Sequence, residues 1–316
     1  MAQWQYEKGL HDLGGGIYAY LQPNGGWGWN NAGLISDGEV SLLVDTLFDG
    51  NLTREMLTTM CDAVPSARNI GTVVNTHANG DHCYGNGLLP NAEIVASEAG
   101  AKEMMELPPE MLAQMMANAP NMGELGAWLL EAFGDFDFSS ASFKAPTRTF
   151  CESLDLNVGD KAVRLIEVGP AHTKGDILVH LPQDGVVFTG DILFIGGVPL
   201  IWAGPVGNWI RACELILDMD VAAVVPGHGP ITDKQGVARV RDYLVALDGE
   251  TRKRFDAGMS VMDAAHDIVL DTFNDLGEQE RIAVNIDTLY REYRGGEEPP
   301  PIAQLLGMMA AMAKAN

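Results

Sequence analysis

The sequence places two histidines, an aspartate and an asparagine close together, at His77, Asn79, Asp81 and His82. The apolar stretch before them, residues 70–75, predicts a short buried strand, so these polar side chains lie on the loop at its carboxyl end. Imidazole and carboxylate groups are the donors that zinc prefers in proteins. The spacing therefore predicts a metal site, with a hydrophilic turn as the alternative, since His, Asn, Gly and Asp are also ordinary turn residues.

Three later loops each contain one more side chain of the same type. They carry His172, Asp191 and His228, and the apolar runs before them are residues 163–168, 186–188 and 221–225. Each run predicts a strand, and small residues surround each polar side chain. A hydrophilic turn explains one such loop but not four of the same construction. The repetition therefore favours the metal site over the turn.

With these motifs the chain resembles the metallo-β-lactamase superfamily, whose signature is Thr-His-x-His-x-Asp-His followed by a His, a Gly-Asp and a Gly-His. The likeness covers about residues 14–235 and rests on several separated motifs. It implies an α+β fold, the four-layer αββα sandwich of this superfamily, here with a helical carboxyl-terminal extension.

The resemblance also implies roles for individual residues. His77 and His172 would hold one metal, Asp81, His82 and His228 the other, and Asp191 would bridge the two. Asp81 is in addition the expected catalytic residue, because its counterpart in the family orients water and handles protons. Asp45 ends a predicted hairpin and is expected to orient a ligating imidazole; the alternative for Asp45 is a cap for the segment that follows.

Asn79 departs from the family pattern, which has a histidine at this position. An amide oxygen is a poorer donor to zinc than an imidazole nitrogen, so we expect Asn79 to be a weak ligand or none. The His77/His172 site should then bind metal less tightly than the other site. The expected cofactor is zinc, as one or two ions, and iron and manganese are alternatives that use the same ligand types.

This ligand set predicts a metal-dependent hydrolase that attacks an activated carbonyl, in an ester, lactone or thioester, through a metal-bound hydroxide. Residues 80–86 and the helical tail are also similar to metallo-β-lactamase-type cyclases and thioesterases of aromatic polyketide biosynthesis, in which the metal would stabilise an enolate or thioester oxyanion. A third hypothesis, suggested by Asn79, is a non-catalytic binding protein on the same scaffold.

The length of 316 residues favours one large domain with an extension. We predict a metallo-β-lactamase-like domain over residues 1–235, with a helical, Met-rich insert at about residues 98–138, and a helical extension over residues 236–316. Trp27 and Trp29, in a glycine-rich loop, and Met115, in the insert, are expected to line the substrate pocket. The alternative for all three side chains is packing in the core.

The charge balance restricts the partners, because 20 basic residues stand against 43 acidic ones and the formal charge is −23. Nucleic acids and anionic membrane surfaces attract basic faces, so a small-molecule substrate is expected instead. The apolar stretch at residues 302–313 should dock on the core, over the active-site mouth, or on a second subunit, which would make a homo-oligomer through the carboxyl-terminal helices.

The four cysteines, Cys61, Cys83, Cys151 and Cys213, form no Cys-x-x-Cys pair and favour a reducing compartment. Residues 1–8 have no basic start leading into an apolar core, so no secretory signal is expected and the predicted location is cytoplasmic. Cys83 follows His82 directly and could approach the metal, although adjacent side chains usually point in different directions.

Overall fold

The computed structural model describes residues 4–315, which form two β-sheets with helices on their outer faces. Residues 1–3, part of the stretch in which no secretory signal is predicted, lie outside the described residues. The larger sheet has seven strands in chain order, β1 (Gly9–Gly14), β2 (Ile17–Leu21), β3 (Ala32–Asp37), β4 (Val40–Val44), β5 (Ile70–Val74), β6 (Glu93–Ser97) and β7 (Arg148–Phe150). The smaller sheet contains β8 (Ser153–Val158), β9 (Lys161–Glu167), β10 (Ile177–Leu181), β11 (Val186–Phe188) and β12 (Ala223–Val225), in the order β12-β11-β10-β9-β8.

The helices follow the strands along the chain in several groups. They are α1 (Gly50–Ala63), α2 (Gly80–Cys83), α3 (Glu98–Glu103), α4 (Pro109–Asn118), α5 (Gly123–Phe133), α6 (Val206–Asp218), α7 (Lys234–Asp256), α8 (Val261–Asp267), α9 (Ile282–Tyr293) and α10 (Ile302–Ala315). None of the helices within residues 4–315 combines the length and the apolar character that crossing a membrane requires.

Both faces of each sheet are buried, which gives four layers. Leu42 and Val44 of β4 belong to the apolar cluster between the sheets, whereas Leu43 faces the opposite side and packs with Met56 of α1. Such alternation follows from the two-residue period of a strand. In the smaller sheet, Val187 faces away from the inter-sheet cluster and packs with the helices that follow. The predicted αββα sandwich with a helical extension is confirmed.

The hairpin of β3 and β4 forms where the sequence predicts it. Asp37 pairs with Val40, and Gly38 in the turn has φ of +60°, a conformation that glycine adopts without steric cost. The helix α6 begins at Val206, directly after its N-cap residue Pro205, whose backbone is still extended with φ of −73° and ψ of 148°.

The predicted insert forms α4 and α5, and α10 packs against them. Trp128 and Phe133 of α5 share an apolar cluster with Leu305 and Met309 of α10, and α10 also contacts the short 3-10 helix Gln279–Arg281. The carboxyl-terminal apolar stretch is therefore buried against its own chain. Formation of a homo-oligomer through these helices stays a prediction.

The extension packs on the smaller sheet, and the predicted boundary at residue 235 lies in the first turn of α7. Leu244 of α7 and Ile286 of α9 belong to one apolar cluster with Val187 of β11 and Trp209 of α6. The division into two units at this position stays a prediction.

Helix α9 also holds the loop at residues 199–201 by polar contacts. Asn285, which is fully buried, accepts a hydrogen bond from Ile201 N at 2.7 Å and donates one to Pro199 O at 2.7 Å. Thr288 donates its hydroxyl to Ile201 O, also at 2.7 Å. Buried backbone groups outside helices and strands need such partners, so α9 replaces the missing strand neighbours of this loop.

We expect Asn285→Ala to destabilise the protein by about 2 to 4 kcal/mol, because it leaves two buried backbone groups without partners. Unfolding in guanidinium chloride, followed by circular dichroism, measures the change. Asn274→Ala, at an exposed position of the same extension, is the matched control and should leave the unfolding midpoint unchanged. Equal midpoints for the two variants would show that the loop does not depend on Asn285.

Candidate metal centre

The polar loops meet because they follow parallel strands that lie side by side. Asp45 follows β4 and His77 lies just after β5, which is its parallel neighbour. Asp191 lies just after β11 and His228 just after β12, and these two strands are also parallel neighbours. Parallel strands end at the same edge of a sheet, so each pair of loops emerges together.

Asp191 lies at the centre of the cluster that results. Its carboxylate oxygens are 3.1 Å from His82 Nε2, 3.4 Å from His172 Nε2, 3.5 Å from His228 Nε2 and 3.7 Å from His77 Nε2. The six side chains form two groups that could each hold a metal ion, namely His77, His172 and Asp191, and Asp81, His82 and His228. All six are buried. The structure thus brings together every metal-type residue that the sequence analysis names.

Two glycines permit this approach. A Cβ atom on Gly227 would overlap the Asp191 carboxylate, and one on Gly190, whose φ is +50°, would overlap the Thr76 side chain. The small residues that surround the predicted ligands in the sequence are therefore required by space, since no larger side chain fits between the loops.

Asp45 orients His82. Its Oδ2 atom accepts a hydrogen bond from His82 Nδ1 at 2.8 Å and another from the Thr76 hydroxyl at 2.7 Å, while Oδ1 accepts from Thr76 N at 2.7 Å. Burial raises the pKa of Asp45, and the contacts with His82 and Thr76 oppose that rise. The cap of α1 is Asp49, so the contacts of Asp45 match the orienting role and not the alternative of a helix cap.

His172 is fixed from its outer nitrogen as well. Its Nδ1 atom donates to Leu200 O at 2.6 Å, which leaves Nε2 as the nitrogen that faces the cluster. Burial lowers the pKa of His172 to about 4, so the ring is neutral near pH 7. Leu200 lies in the loop that Asn285 holds. Helix α9 therefore supports His172 indirectly, through this loop.

Asn79 reaches the same nitrogen. Its Nδ2 atom lies 3.0 Å from His172 Nε2, so in this arrangement the amide occupies the lone pair through which His172 would bind a metal. The two ends of an amide are nearly indistinguishable in shape, and turning the group by half a rotation would present its oxygen instead. In either orientation the side chain of Asn79 contacts His172, whereas its backbone carbonyl accepts from His82 N at 3.0 Å. The role of Asn79 as a weak ligand or none stays a prediction.

Several atoms of the cluster that could bind a metal ion have no hydrogen-bond partner among the described residues. His77 Nε2, His82 Nε2 and Asp191 Oδ1 are buried and unpartnered, which is costly for polar atoms. Burial lowers the pKa of His77 far below its ordinary value, so this imidazole is neutral. Burial alone would raise the pKa of Asp191, but the neighbouring His228, His82 and His77 hold it well below the ordinary range, so the group is a carboxylate.

The carboxylates next to His228 favour its protonated form. Burial acts to lower the pKa of His228, but the carboxylates of Asp191 and Asp81 outweigh it and raise the pKa to about 9. A divalent cation would replace such protons and partner the free donor atoms together. The residues present therefore fit a bound divalent metal.

A buried amide network that the sequence analysis did not name supports this group. Asn75 donates to His82 O at 2.8 Å and accepts from Asn86 Nδ2 at 2.8 Å. Thr46 N donates to the same His82 carbonyl at 3.0 Å. The only signal in the sequence was a polar residue, Asn75, at the end of an apolar run, which does not by itself identify its partner.

Cys83 lies outside the cluster. Its thiol points to Ala78 O at 3.7 Å and packs in the apolar cluster of α5 and α10. Burial raises its pKa well above the ordinary value, so the thiol does not ionise near pH 7. All four cysteines are free.

The three predicted pocket residues pack with the insert. The Trp27 ring lies 5.4 Å from that of Trp128, Trp29 lies 4.7 Å from Phe136, and Met115 is half-buried in the same apolar cluster. The Trp27 indole also donates to Glu280 Oε1 at 2.7 Å. Their role in substrate binding stays a prediction.

Comparison with known proteins finds distant relatives among hydrolases. The chain is 22% identical over 114 residues to the acyl-coenzyme A thioesterase MBLAC2 of Homo sapiens, covering 34% of this chain and 40% of that protein. It is 23% identical over 133 residues to a linear primary-alkylsulfatase of a Pseudomonas strain, covering 38% and 25%. A hydroxyacylglutathione hydrolase of Rhizobium etli is 33% identical over 82 residues, covering 26% and 32%. Each match thus spans less than half of the relative.

Solved structures share the fold. The sec-alkylsulfatase Pisa1 from Pseudomonas sp. superposes with a TM-score of 0.66 at 15% identity, covering 98% of this chain and 57% of that one. A metallo-beta-lactamase from Pontibacter korlensis gives a TM-score of 0.57 at 18% identity, covering 76% of this chain and 99% of that one. The family model of the metallo-beta-lactamase superfamily matches residues 25–228, a segment that contains all six metal-type side chains. The chain therefore belongs to the metallo-beta-lactamase superfamily.

Proposed function

We propose that this protein is a metal-dependent hydrolase of an activated carbonyl, in an ester, lactone or thioester. The observation that carries the proposal is that two buried groups of metal-type side chains meet at Asp191. Several of their potential metal-binding atoms lack hydrogen-bond partners among the described residues. His77, His172 and Asp191 would hold one ion, Asp81, His82 and His228 the other, and Asp191 lies between the groups. A bound divalent ion, with zinc as the first candidate, would supply Lewis acidity and lower the pKa of a water molecule.

Asp81 is the residue to which we assign proton handling. Its side chain is 11% exposed, against 3% for Asp191, so it is the carboxylate of the cluster that reaches toward solvent. Its Oδ2 atom lies 3.2 Å from His228 Nε2. The neighbouring imidazoles keep the pKa of Asp81 low although burial alone would raise it, so the carboxylate can accept a hydrogen bond from water and orient it.

The relatives support hydrolysis but differ in the bond that they cleave. The thioesterase and the hydroxyacylglutathione hydrolase favour an acyl bond as the substrate class. A sulfate ester is the second candidate, because the likeness to Pisa1 covers 98% of this chain and so includes the extension. The ring-closing polyketide cyclase remains a third hypothesis, and metal content after purification separates all of them from a non-catalytic scaffold.

We expect metal-dependent turnover of at least one member of a panel that contains an aryl ester, a lactone, an acyl thioester and an alkyl sulfate. Asp81→Ala should lower kcat/KM on the order of 10³-fold or more, because it removes a positioned base together with a metal-type carboxylate. Asn79→Ala should be much milder. Initial rates with and without a chelator, at matched metal loading, provide the measurement.

Asp135→Ala, which changes an exposed aspartate outside the cluster, is the control and should keep full activity. Turnover that persists both with chelator and in Asp81→Ala would refute the proposed mechanism. Metal-dependent ring closure of a polyketone without net hydrolysis would favour the cyclase instead.

The two metal sites should differ in affinity, because Asn79 replaces a good donor at only one of them. Stepwise chelation with metal analysis should therefore release one equivalent before the other. Asn79→His should raise the affinity of the weaker site, since a histidine restores the missing imidazole. Two equivalents of equal affinity in the unmodified protein would contradict this expectation.

A further inference from the structure

Arg281 is a buried arginine that forms no salt bridge with any carboxylate in residues 4–315. The residue is 2% exposed, and Nη1 donates to Val198 O at 2.9 Å. Its Nε atom is buried and has no hydrogen-bond partner among the described residues. Glu278 and Glu280 act on it only through charge at a distance, and no hydrogen bond joins them to the guanidinium. An arginine stays charged in proteins, so this one is a buried cation with free donor capacity.

Two aromatic rings hold the guanidinium in place. Its central carbon lies 4.3 Å from the centre of the Trp27 ring and 5.1 Å from that of Phe194. Aromatic faces attract a guanidinium but use none of its N–H groups, which stay available for an oxygen ligand. The arrangement therefore fixes the position of Arg281 without satisfying its donors.

The same phenylalanine touches the metal-type histidines. Phe194 stacks on His228 with ring centres 5.2 Å apart and planes at 6°, and its centre lies 5.5 Å from that of His172. One aromatic ring thus separates Arg281 from the metal-type cluster. A substrate group held by Arg281 would therefore lie on the other side of the Phe194 ring from His228 and His172.

The net charge of the chain also bears on the role of Arg281. The chain has a formal charge of −23, and Glu278 and Glu280 act on Arg281 through their charge. Such a net charge opposes the approach of an anionic substrate, and a fixed cation near the site would offset part of that repulsion. Arg281 has the planar fork of N–H donors that matches a carboxylate or a sulfate.

We propose that Arg281 recognises an anionic oxygen group of the substrate, a carboxylate or a sulfate, and so selects anionic substrates for the proposed hydrolase. The inference rests on the proposed function of the metal centre but uses a residue outside it. Trp27 covers the guanidinium and donates its indole N–H to Glu280, so an anion would reach Arg281 only if this indole moved. Trp27 then contributes to recognition by covering the anion and not by contacting the metal-type residues.

Calorimetric binding of octanoate, octyl sulfate and octanol to the metal-loaded protein tests the proposal without requiring turnover. At least one of the anions should bind more tightly than octanol. Arg281→Gln should weaken the binding of that anion by about 10- to 100-fold, which corresponds to the loss of a hydrogen bond to a charged group. It should change the affinity for octanol by less than about 2-fold. Preference for octanoate identifies a carboxylate as the natural group, and preference for octyl sulfate identifies a sulfate.

Arg291→Gln is the matched control. Arg291 is also a buried arginine of the extension, but it is already paired with Asp287 at 2.8 Å, so its loss should leave the anion preference unchanged. Arg281→Lys keeps the charge and loses the planar fork, and it should retain part of the preference. The Lys variant decides the question if the Gln variant does not fold, as judged by circular dichroism.

Equal weakening of anions and octanol in the Arg281 variants, or no weakening of either, would overturn the proposal. A kinetic comparison adds a second readout. p-Nitrophenyl hemisuccinate and p-nitrophenyl butyrate have acyl chains of equal length, and Arg281→Gln should raise KM for the first by about 10-fold or more and spare the second. Loss of anion binding without loss of ester hydrolysis would leave the proposed function intact, whereas anion binding without any hydrolysis would contradict the function and not the role of Arg281.

Discussion

The burial of Asp191 among four imidazoles is the constraint on which the rest of the structure depends. The four Nε2 atoms lie between 3.1 and 3.7 Å from its oxygens. A carboxylate in such a place is costly unless a cation, such as protonated His228 or a bound metal ion, faces it. The imidazoles can converge only if each is held from its outer side. That condition explains Asp45 behind His82 and the Leu200 carbonyl behind His172.

The two sheets provide the frame for this convergence. Each sheet contributes a pair of parallel strands at the site, β4 with β5 and β11 with β12, although the other three pairings in the smaller sheet are antiparallel. The parallel pairs send their loops to one edge, and the apolar cluster between the sheets keeps the two edges opposed. The apolar layer between the sheets therefore holds the metal-type residues in position, although none of these residues belongs to that layer.

Much of this arrangement could be predicted from the sequence. The ligand-type residues at His77, Asp81, His82, His172, Asp191 and His228 stand in short loops after apolar runs, and both signals are local in the chain. The alternation of Leu42, Leu43 and Val44 is local as well. The resemblance to the superfamily, which rests on these motifs, then predicted how the strands assemble into one αββα sandwich.

What the sequence did not reveal depends on contacts between distant segments. The sequence around Asn75, Asn285 and Arg281 does not identify their hydrogen-bond partners. Those partners lie in other elements and come close only through packing. The packing of α10 on α5 instead of elsewhere on the surface is equally non-local.

The hold of α9 on the loop of Leu200 has a consequence for biosynthesis. Ile201 and Asn285 are 84 residues apart, so the amide that secures this loop leaves the ribosome long after the loop itself. Domains generally begin to fold from the amino terminus while synthesis continues. On the nascent chain both sheets can therefore form while the carbonyl that orients His172 is still unsecured, and the complete metal centre assembles only after α9 has been synthesised.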